Sequence, residues 1–320
     1  MHILVLATDL DLHADAVIYH LNRIGVICER LSPTDIADSL IKVNWTLSTR
    51  QKHSFSLESH DCGIVSKAPY VFCREFSFTR DTDNPEKRFA QEECWSVGEA
   101  YVNEIESSKW FDHYRNQLNW DNKIRQYSLA MRLGIKFPET IITNQLSKAK
   151  EFTKNRRCIV KQLSDIAFAP IDPEEGLTSI YTNELNRSDI DSESLQDCPA
   201  LIQELIEKRY DIRYYYIDGD HYAFKINSQE SECSMIDFRR DHTLDLIYFK
   251  PNNNLVKVVD CIAEQSGLKY MALDFAEDLN GEFVFFEFNP TGNWLWIEQK
   301  TEIPLSKYIA KAIRRHFEAI

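Results

Sequence analysis

No run of 18 apolar residues occurs anywhere in the 320-residue chain, so no segment reads as a transmembrane helix. The first residues, Met1-His-Ile-Leu-Val-Leu-Ala, form a short apolar stretch ended by Thr8 and Asp9. It has neither a basic n-region nor a cleavage signal, and no secretory signal is expected. Basic charge is also short: 37 Lys and Arg against 50 Asp and Glu give a net charge of −13. That argues against a nucleic-acid backbone as partner, so any basic site must be local. The eight cysteines, at 28, 62, 73, 94, 158, 198, 233 and 261, form no C-x-x-C pair. Zinc and dithiol motifs are therefore excluded and reduced thiols expected. Ser-His-Asp and Cys-His arrangements, internal repeats and low-complexity tracts are not evident either. These absences predict a cytosolic, cytoplasmic protein long enough for two or three domains.

What is present is most informative near the C-terminus. Residues 271–276 and 283–289 read as apolar strands interrupted by Asp274, Glu287 and Asn289, with Asn280-Gly281 between them. Asn-Gly is the strongest short hairpin signal, because both central positions of a type I′ turn need positive φ. With that turn, Leu279 faces Glu282 and Asp274 lies across from Glu287. Alternation puts Asn289 on the same face, and Leu273, Phe275, Phe286 and Phe288 on the other. Two facing carboxylates repel unless a cation sits between them. Hard oxygen ligands suit magnesium, which substrate phosphates usually complete, so nucleotide-phosphate chemistry is expected. The plainer reading is the polar face of an exposed edge hairpin.

Periodicity along the rest of the chain predicts an α/β opening: strand 3–7, amphipathic helix 11–25, strand 26–30. A β-meander over 41–60, a strand over 70–74 and a charged helix over 85–107 follow, and a first domain ends near 110. A helix over 122–133 stops at Gly134 as an αL cap, ahead of Pro138. Strand 159–161, a loop-rich stretch 162–200, strands 200–206, 212–217 and 222–226 with an Asp218-Gly219 turn, and helices 256–266 and 305–319 complete the pattern. The long loop over 162–176 is expected to be a mobile lid.

Several residues recur in one kind of chemistry. Lys161 ends a buried apolar run, where a lone charge is costly unless an anion pairs with it, and a phosphate is such an anion. Gln203-Glu204-Leu205-Ile206 ends a strand beside an apolar wall, a way to hold an adenine ring. Asp211 could accept from a ribose hydroxyl. Arg213, Lys225, Arg239 and Arg240 place cations in an acidic protein. Taken singly, each is ordinary as a strand-end side chain reaching solvent.

The order Asn122-Lys123, Gly134-x-x-x-Pro138-x-Thr140, Val160-Lys161, Gln203-Glu204, Asp211-Ile-Arg213, Asp237-Phe-Arg239, Asp274 and Glu287-x-Asn289-Pro-x-Gly-x-Trp-x-Trp296 resembles the ATP-grasp superfamily. Within it, the chain is most similar to the microviridin-type graspetide ligases. The ribosomal-protein glutamate ligase shares much of the pattern without the tryptophan tail. The resemblance implies an α/β (α+β) ATP-grasp fold with an N-terminal pre-ATP-grasp α/β domain at 1–110, a central lobe at 111–200, and a C-terminal antiparallel-sheet lobe with the metal site at 201–320. It implies ATP and magnesium (Mg2+) as cofactors, with Lys123 and Lys161 on the phosphates, Gln203, Glu204 and Leu205 at the adenine, and Asp211 near the ribose. Asp274, Glu287 and Asn289 would hold the metal, and Arg213 and Arg239 would orient the acceptor carboxylate and stabilise transferred phosphate. One departure is the loop 162–176, which lacks the glycines that let backbone amides wrap phosphates and carries Asp165.

The implied reaction activates a Glu or Asp side chain of a precursor peptide (leader plus acidic core) as an acyl phosphate, which a hydroxyl or amine then captures. Phosphoryl transfer needs positioning and charge neutralisation rather than a protein nucleophile. Neither nucleic acid nor membrane is an expected partner, and a homodimer is left open. Competing readings are an ATP-grasp ligase that adds a free amino acid to a carboxylate, and a catalytically silent peptide-binding module. Trp294, Trp296 and Phe288 are expected in the core rather than on a substrate.

Overall fold

The structure, a computed structural model, describes residues 1–37, 41–49, 54–59, 63–64, 70–77, 83–163, 181–186, 190, 195, 197–241 and 243–320. Most of the expected lid, from residue 164 through 176, lies outside the described residues, as do Cys62 and Asp165.

β1 (His2–Leu6) is buried from Ile3 onward, and β2 (Ile27–Leu31) and β6 (Tyr70–Cys73) flank it in the parallel order β2-β1-β6. Burial on both faces explains why β1 reads as continuously apolar. Between β1 and β2, α1 (Leu12–Arg23) begins where Asp11 accepts a hydrogen bond from Ala14 N, and it buries Ala14, Val17 and Leu21. After α2 (Pro33–Ala37), the expected meander forms as β3 (Ile41–Thr46), β4 (Ser54–Ser59) and β5 (Gly63–Ile64), paired antiparallel. α3 (Pro85–Glu104) starts at the Asn84 cap and covers one side of the parallel sheet.

The chain does not leave this unit at residue 110. Trp110 and Tyr114 are buried with Leu4, Leu6 and Val71, and Phe111 N donates to Val71 O at 2.9 Å. α4 (Tyr114–Trp120) then leads into α5 (Lys123–Leu133). The ends of α5 are as expected: Asn122 accepts from Arg125 N, and Gly134 takes φ +66°, where a side chain is disfavoured. A four-stranded sheet follows in the order β7-β10-β8-β9, from β7 (Thr140–Thr143), β8 (Cys158–Lys161), β9 (Asn183–Leu185) and β10 (Ala200–Glu204), with α6 (Leu146–Phe152) against it.

The last part is a five-stranded antiparallel sheet, β13-β12-β11-β14-β15, built from β11 (Lys208–Ile217), β12 (Asp220–Ile226), β13 (Leu246–Phe249), β14 (Tyr270–Asp278) and β15 (Phe283–Asn289). α7 (Asn253–Ser266) covers one face. The other face packs with α8 (Leu295–Thr301) and α9 (Leu305–Glu318) in a core that also holds Ile3, Val5, Val17 and Phe72. The N-terminal sheet and the C-terminal lobe therefore share one apolar core. α4, α6, β7, β9, β13 and α8 were not anticipated; each is too short to display a period.

Candidate active site

The hairpin carries the first part of the site. Asp274 pairs with Glu287 across β14 and β15, and Asn289 follows two residues on, opposite Ala272. The register is as expected, but the path to it differs. Asn280 does not adopt positive φ; only Gly281 does, at +83°. The turn is a three-residue loop closed by Asp278 and Glu282, with Asp278 N donating to Glu282 O at 2.9 Å and Asp278 Oδ1 accepting from the N–H groups of Asn280 and Glu282. Lys136 clamps it from outside, 2.9 Å from Asp278 and 2.5 Å from Glu282. That loop slips the pairing by one residue, and an irregularity between Asp274 and Phe275 restores it, leaving Phe286 as the extra residue. Phe286, expected on the face opposite Asp274, consequently turns its ring into the cavity, while Phe285 and Phe288 are buried.

Every site residue implied by the resemblance except Gln203 lines one cavity of about 780 Å³ between the central and C-terminal sheets, whereas Lys225 is paired with Glu277 at 2.5 Å and Arg240 donates to Thr182 O at 3.1 Å, both outside its lining. Gln203 lies behind its wall, fully buried, and its amide donates at 2.9 Å to Tyr127 Oη and to Thr140 Oγ1. Glu204 and Leu205 reach the cavity at the end of β10, with Leu205 N committed to Arg157 O.

At the metal face, the carboxylates are matched by cations of the chain itself. Arg213, directly opposite Asp274 on β11, donates through Nη1 to both carboxylate oxygens at 3.1 and 3.0 Å. Its remaining arms reach Tyr215 Oη at 3.2 Å and Asn293 O at 3.3 Å. Burial opposes the Arg213 charge most, but Asp274, Tyr215 and Tyr270 together outweigh it and raise the guanidinium above its ordinary value. Burial holds the Asp274 carboxyl above the usual carboxylate range, with Arg213 pulling it back.

Glu287 stands 3.5 Å from the Lys123 ammonium. Burial pushes its carboxyl up, yet Lys123, Lys161 and Arg239 together bring it below its ordinary value. Lys161 is itself lowered, mainly by burial, and its ammonium sits 4.8 Å from the centre of the Phe286 ring. Arg239 is gripped by Asp237 at 2.9 and 2.6 Å, and Asp237 also accepts from Thr182 N at 3.0 Å.

Lys208 was missed by sequence reading. Its buried ammonium is 2.8 Å from Asp211 Oδ1 and 5.7 Å from the same Phe286 ring. In the sequence it lies in the charged run Glu207-Lys208-Arg209, which reads as a solvated turn. Trp294 is in the core as expected, but Trp296 is only partly buried and lines the cavity beside Phe238, 6.1 Å between ring centres.

A metal ion and a nucleotide fit the donors present. Asp211 Oδ2 is a buried acceptor without a hydrogen bond, and Glu287 Oε2 has the Lys123 ammonium at a long 3.5 Å; buried acceptors so placed are costly unless a ligand satisfies them. Asp274, Glu287 and Asn289 form an all-oxygen set next to basic side chains, as magnesium shared with phosphates requires. Among the described residues, no cluster of three His, Cys, Asp or Glu side chains competes as a metal site.

The chain as a whole superposes on solved structures over nearly its full length. A Chryseobacterium gregarium RiPP-associated ATP-grasp ligase, in complex with ADP and a leader and core peptide, superposes with a TM-score of 0.86 at 22% identity, covering 98% of this chain and 96% of that one. The fold is ATP-grasp. The macrocyclase MdnC from Microcystis aeruginosa, bound with precursor peptide MdnA, gives a TM-score of 0.82 at 22% identity, covering 98% of this chain and 100% of that one. A RimK domain ATP-grasp protein from Sphaerobacter thermophilus is more distant, with a TM-score of 0.56 at 13% identity and coverage of 98% and 99%. No family model matches the sequence, and no curated protein matches it significantly. Within this ATP-grasp fold, none of the described helices is long and apolar enough to cross a membrane.

Proposed function

We propose that the chain is an ATP-dependent ligase that joins Glu or Asp side chains of a ribosomal precursor peptide to Ser or Thr hydroxyls or Lys amines, closing ester or amide rings. The observation that carries this reading is the single cavity in which Asp274, Glu287 and Asn289 meet Lys123, Lys161, Arg213 and Arg239. The likeness to ATP-grasp ligases complexed with precursor peptides supports the substrate class. Lys123 and Lys161 hold the phosphates, Glu204 and Leu205 wall the adenine, and Asp211 Oδ2 accepts from the ribose. Asp274, Glu287 and Asn289 would hold magnesium, which would supply the positive charge that offsets the phosphates.

A substrate carboxylate oxygen attacks the γ-phosphorus and ADP leaves. The acceptor O–H or N–H then attacks the acyl carbon, and phosphate and a proton leave. Arg213 and Arg239 grip the carboxylate and the transferred phosphoryl group through parallel N–H donors, in geometry that a lysine does not reproduce.

The test is mass spectrometry of a candidate precursor peptide, acidic and bearing Thr or Lys, after incubation with protein and MgATP. Loss of one water per bond, with one ADP formed for each, is expected. A mass gain from an added free amino acid would establish the other ligase reading. Peptide binding without any ATP-dependent mass change would leave only a peptide-binding module.

A further inference from the structure

Arg74 belongs to none of the strands that carry the site. It follows β6 in the N-terminal sheet, yet the residue is only 9% exposed because its guanidinium is spent on the loop after β15. One arm donates to Thr291 O, and the other donates to Asn293 Oδ1 at 2.7 Å. Asp11 lies 3.3 Å from its Nε, and the Trp294 ring centre lies 5.2 Å from its central carbon. Asp11 is also the cap of α1, so the carboxylate facing Arg74 is anchored by a helix start.

The same short loop is bonded to the site on its other side. Asn293 O accepts from Arg213 Nη2 at 3.3 Å and from Tyr215 Oη at 2.7 Å, and Gly292 O accepts from Tyr270 Oη at 2.6 Å. Asn289 Oδ1 accepts from Thr291 N at 2.7 Å and from Thr291 Oγ1 at 3.2 Å. Residues 291–293 are therefore gripped by Arg74 from the N-terminal unit, while they hold Arg213 and Asn289 in the C-terminal lobe.

We propose that Arg74 is a positioning residue: by bridging Thr291 and Asn293 it sets where Arg213 and Asn289 stand, and so couples the N-terminal sheet to the metal and acceptor site. A guanidinium spans two acceptors on different residues with fixed geometry, whereas an ammonium is a single point charge. The consequence for turnover rests on the ligase reading; the consequence for the geometry of the oxygen donors does not.

The experiment measures Mn2+ binding by electron paramagnetic resonance in the presence of saturating ADP, with ADP affinity measured separately without divalent metal. Arg74→Lys and Arg74→Gln are expected to weaken Mn2+ binding by about tenfold, as loss of a group that orients a ligand typically does. Metal-free ADP affinity should be unchanged, because Lys123 and Lys161 are carried by α5 and β8 rather than by this loop. Asn293→Ala removes one of the two acceptors and should give a smaller loss that adds nothing to Arg74→Lys. Cross-linking kcat should fall with the Mn2+ affinity.

A general structural role would lower the thermal midpoint without a selective metal effect, and folded Arg74 variants that bind Mn2+ like the wild type overturn the proposal. If the Arg74 variants do not fold, Asn293→Ala decides alone, and wild-type Mn2+ affinity in it overturns the proposal equally. If the wild type binds Mn2+ and ADP but cross-links no peptide, the ligase reading falls and the Mn2+ result still judges Arg74.

Discussion

Arg213 and Asp274 are direct cross-strand partners on β11 and β14, and the guanidinium lies across both carboxylate oxygens at 3.0–3.1 Å. One residue expected at the acceptor and one expected at the metal are thus a single ion pair. Their behaviour on mutation is coupled.

Asp274→Asn is expected to abolish magnesium-dependent turnover while the protein still folds. Both side chains are mostly buried, at 10% and 19% exposure, so losing the carboxylate leaves Arg213 with a weaker partner at a cost of about 1–3 kcal/mol. Denaturant unfolding and an ATPase assay on the same preparation check both halves. Near-wild-type ATP hydrolysis would remove Asp274 from the site.

Arg213→Lys keeps the charge but can serve only one of three partners, Asp274, Tyr215 or Asn293. Arg239→Lys likewise loses the fork onto Asp237. Each is expected to lower kcat for cross-linking by about 2–4 kcal/mol with little change in apparent ATP affinity, as for loss of a transition-state donor. Normal single-turnover rates in both variants would withdraw the acceptor-site assignment.

Gly292 sits where a Cβ would come 2.3 Å from the Ala272 Cβ and 3.0 Å from Arg213 Nη2. Gly292→Ala should therefore destabilise by about 1–3 kcal/mol through overpacking and also displace Arg213, lowering turnover. Adding Ala272→Gly removes the closer contact and is expected to restore part of the lost activity. A double variant no more active than the single one would show that the clash is not the cause.

Asp237 provides a pH test. Burial opposes its charge, but the hydrogen bonds and charge of Arg239, with the Thr182 and Arg239 amides, bring its pKa from 3.8 down to about 2. The folded value lies below the unfolded one, so the pair stabilises above about pH 4 and the contribution is lost as pH falls toward about 2. Its size is about 2 kcal/mol. In acid unfolding, the gap between wild type and Asp237→Asn should narrow over that interval; a gap independent of pH there would show that Asp237 titrates normally.

Much of this architecture was legible in local chemistry. Asn122 and Gly134 marked both ends of α5, and Asp218-Gly219, with φ +47° and +90°, makes the two-residue turn that its residues suggest. The two-residue turn assumed at Asn280-Gly281 placed Asp274 opposite Glu287, where the structure has it. The route was not legible. A three-residue loop and a bulge at Phe286 each shift the register by one and cancel, so the pairing came out right although the turn did not. The loop depends on Lys136, far away in the chain, and a bulge leaves no trace in a two-residue period.

Residue type and spacing pointed to Lys161, Asp211, Asp274, Glu287 and Asn289 for a nucleotide and a metal, and the family resemblance added Lys123; all six reach the cavity. Tertiary structure alone decided how they are held. Gln203 faces Tyr127 rather than the cavity, Lys208 neutralises Asp211 inside it, and Arg74 crosses from another sheet to the loop beside Asn289. A strand's own pattern reports which side of it is apolar. It does not report which charge from a distant segment meets a buried polar atom, because that partner is chosen by packing.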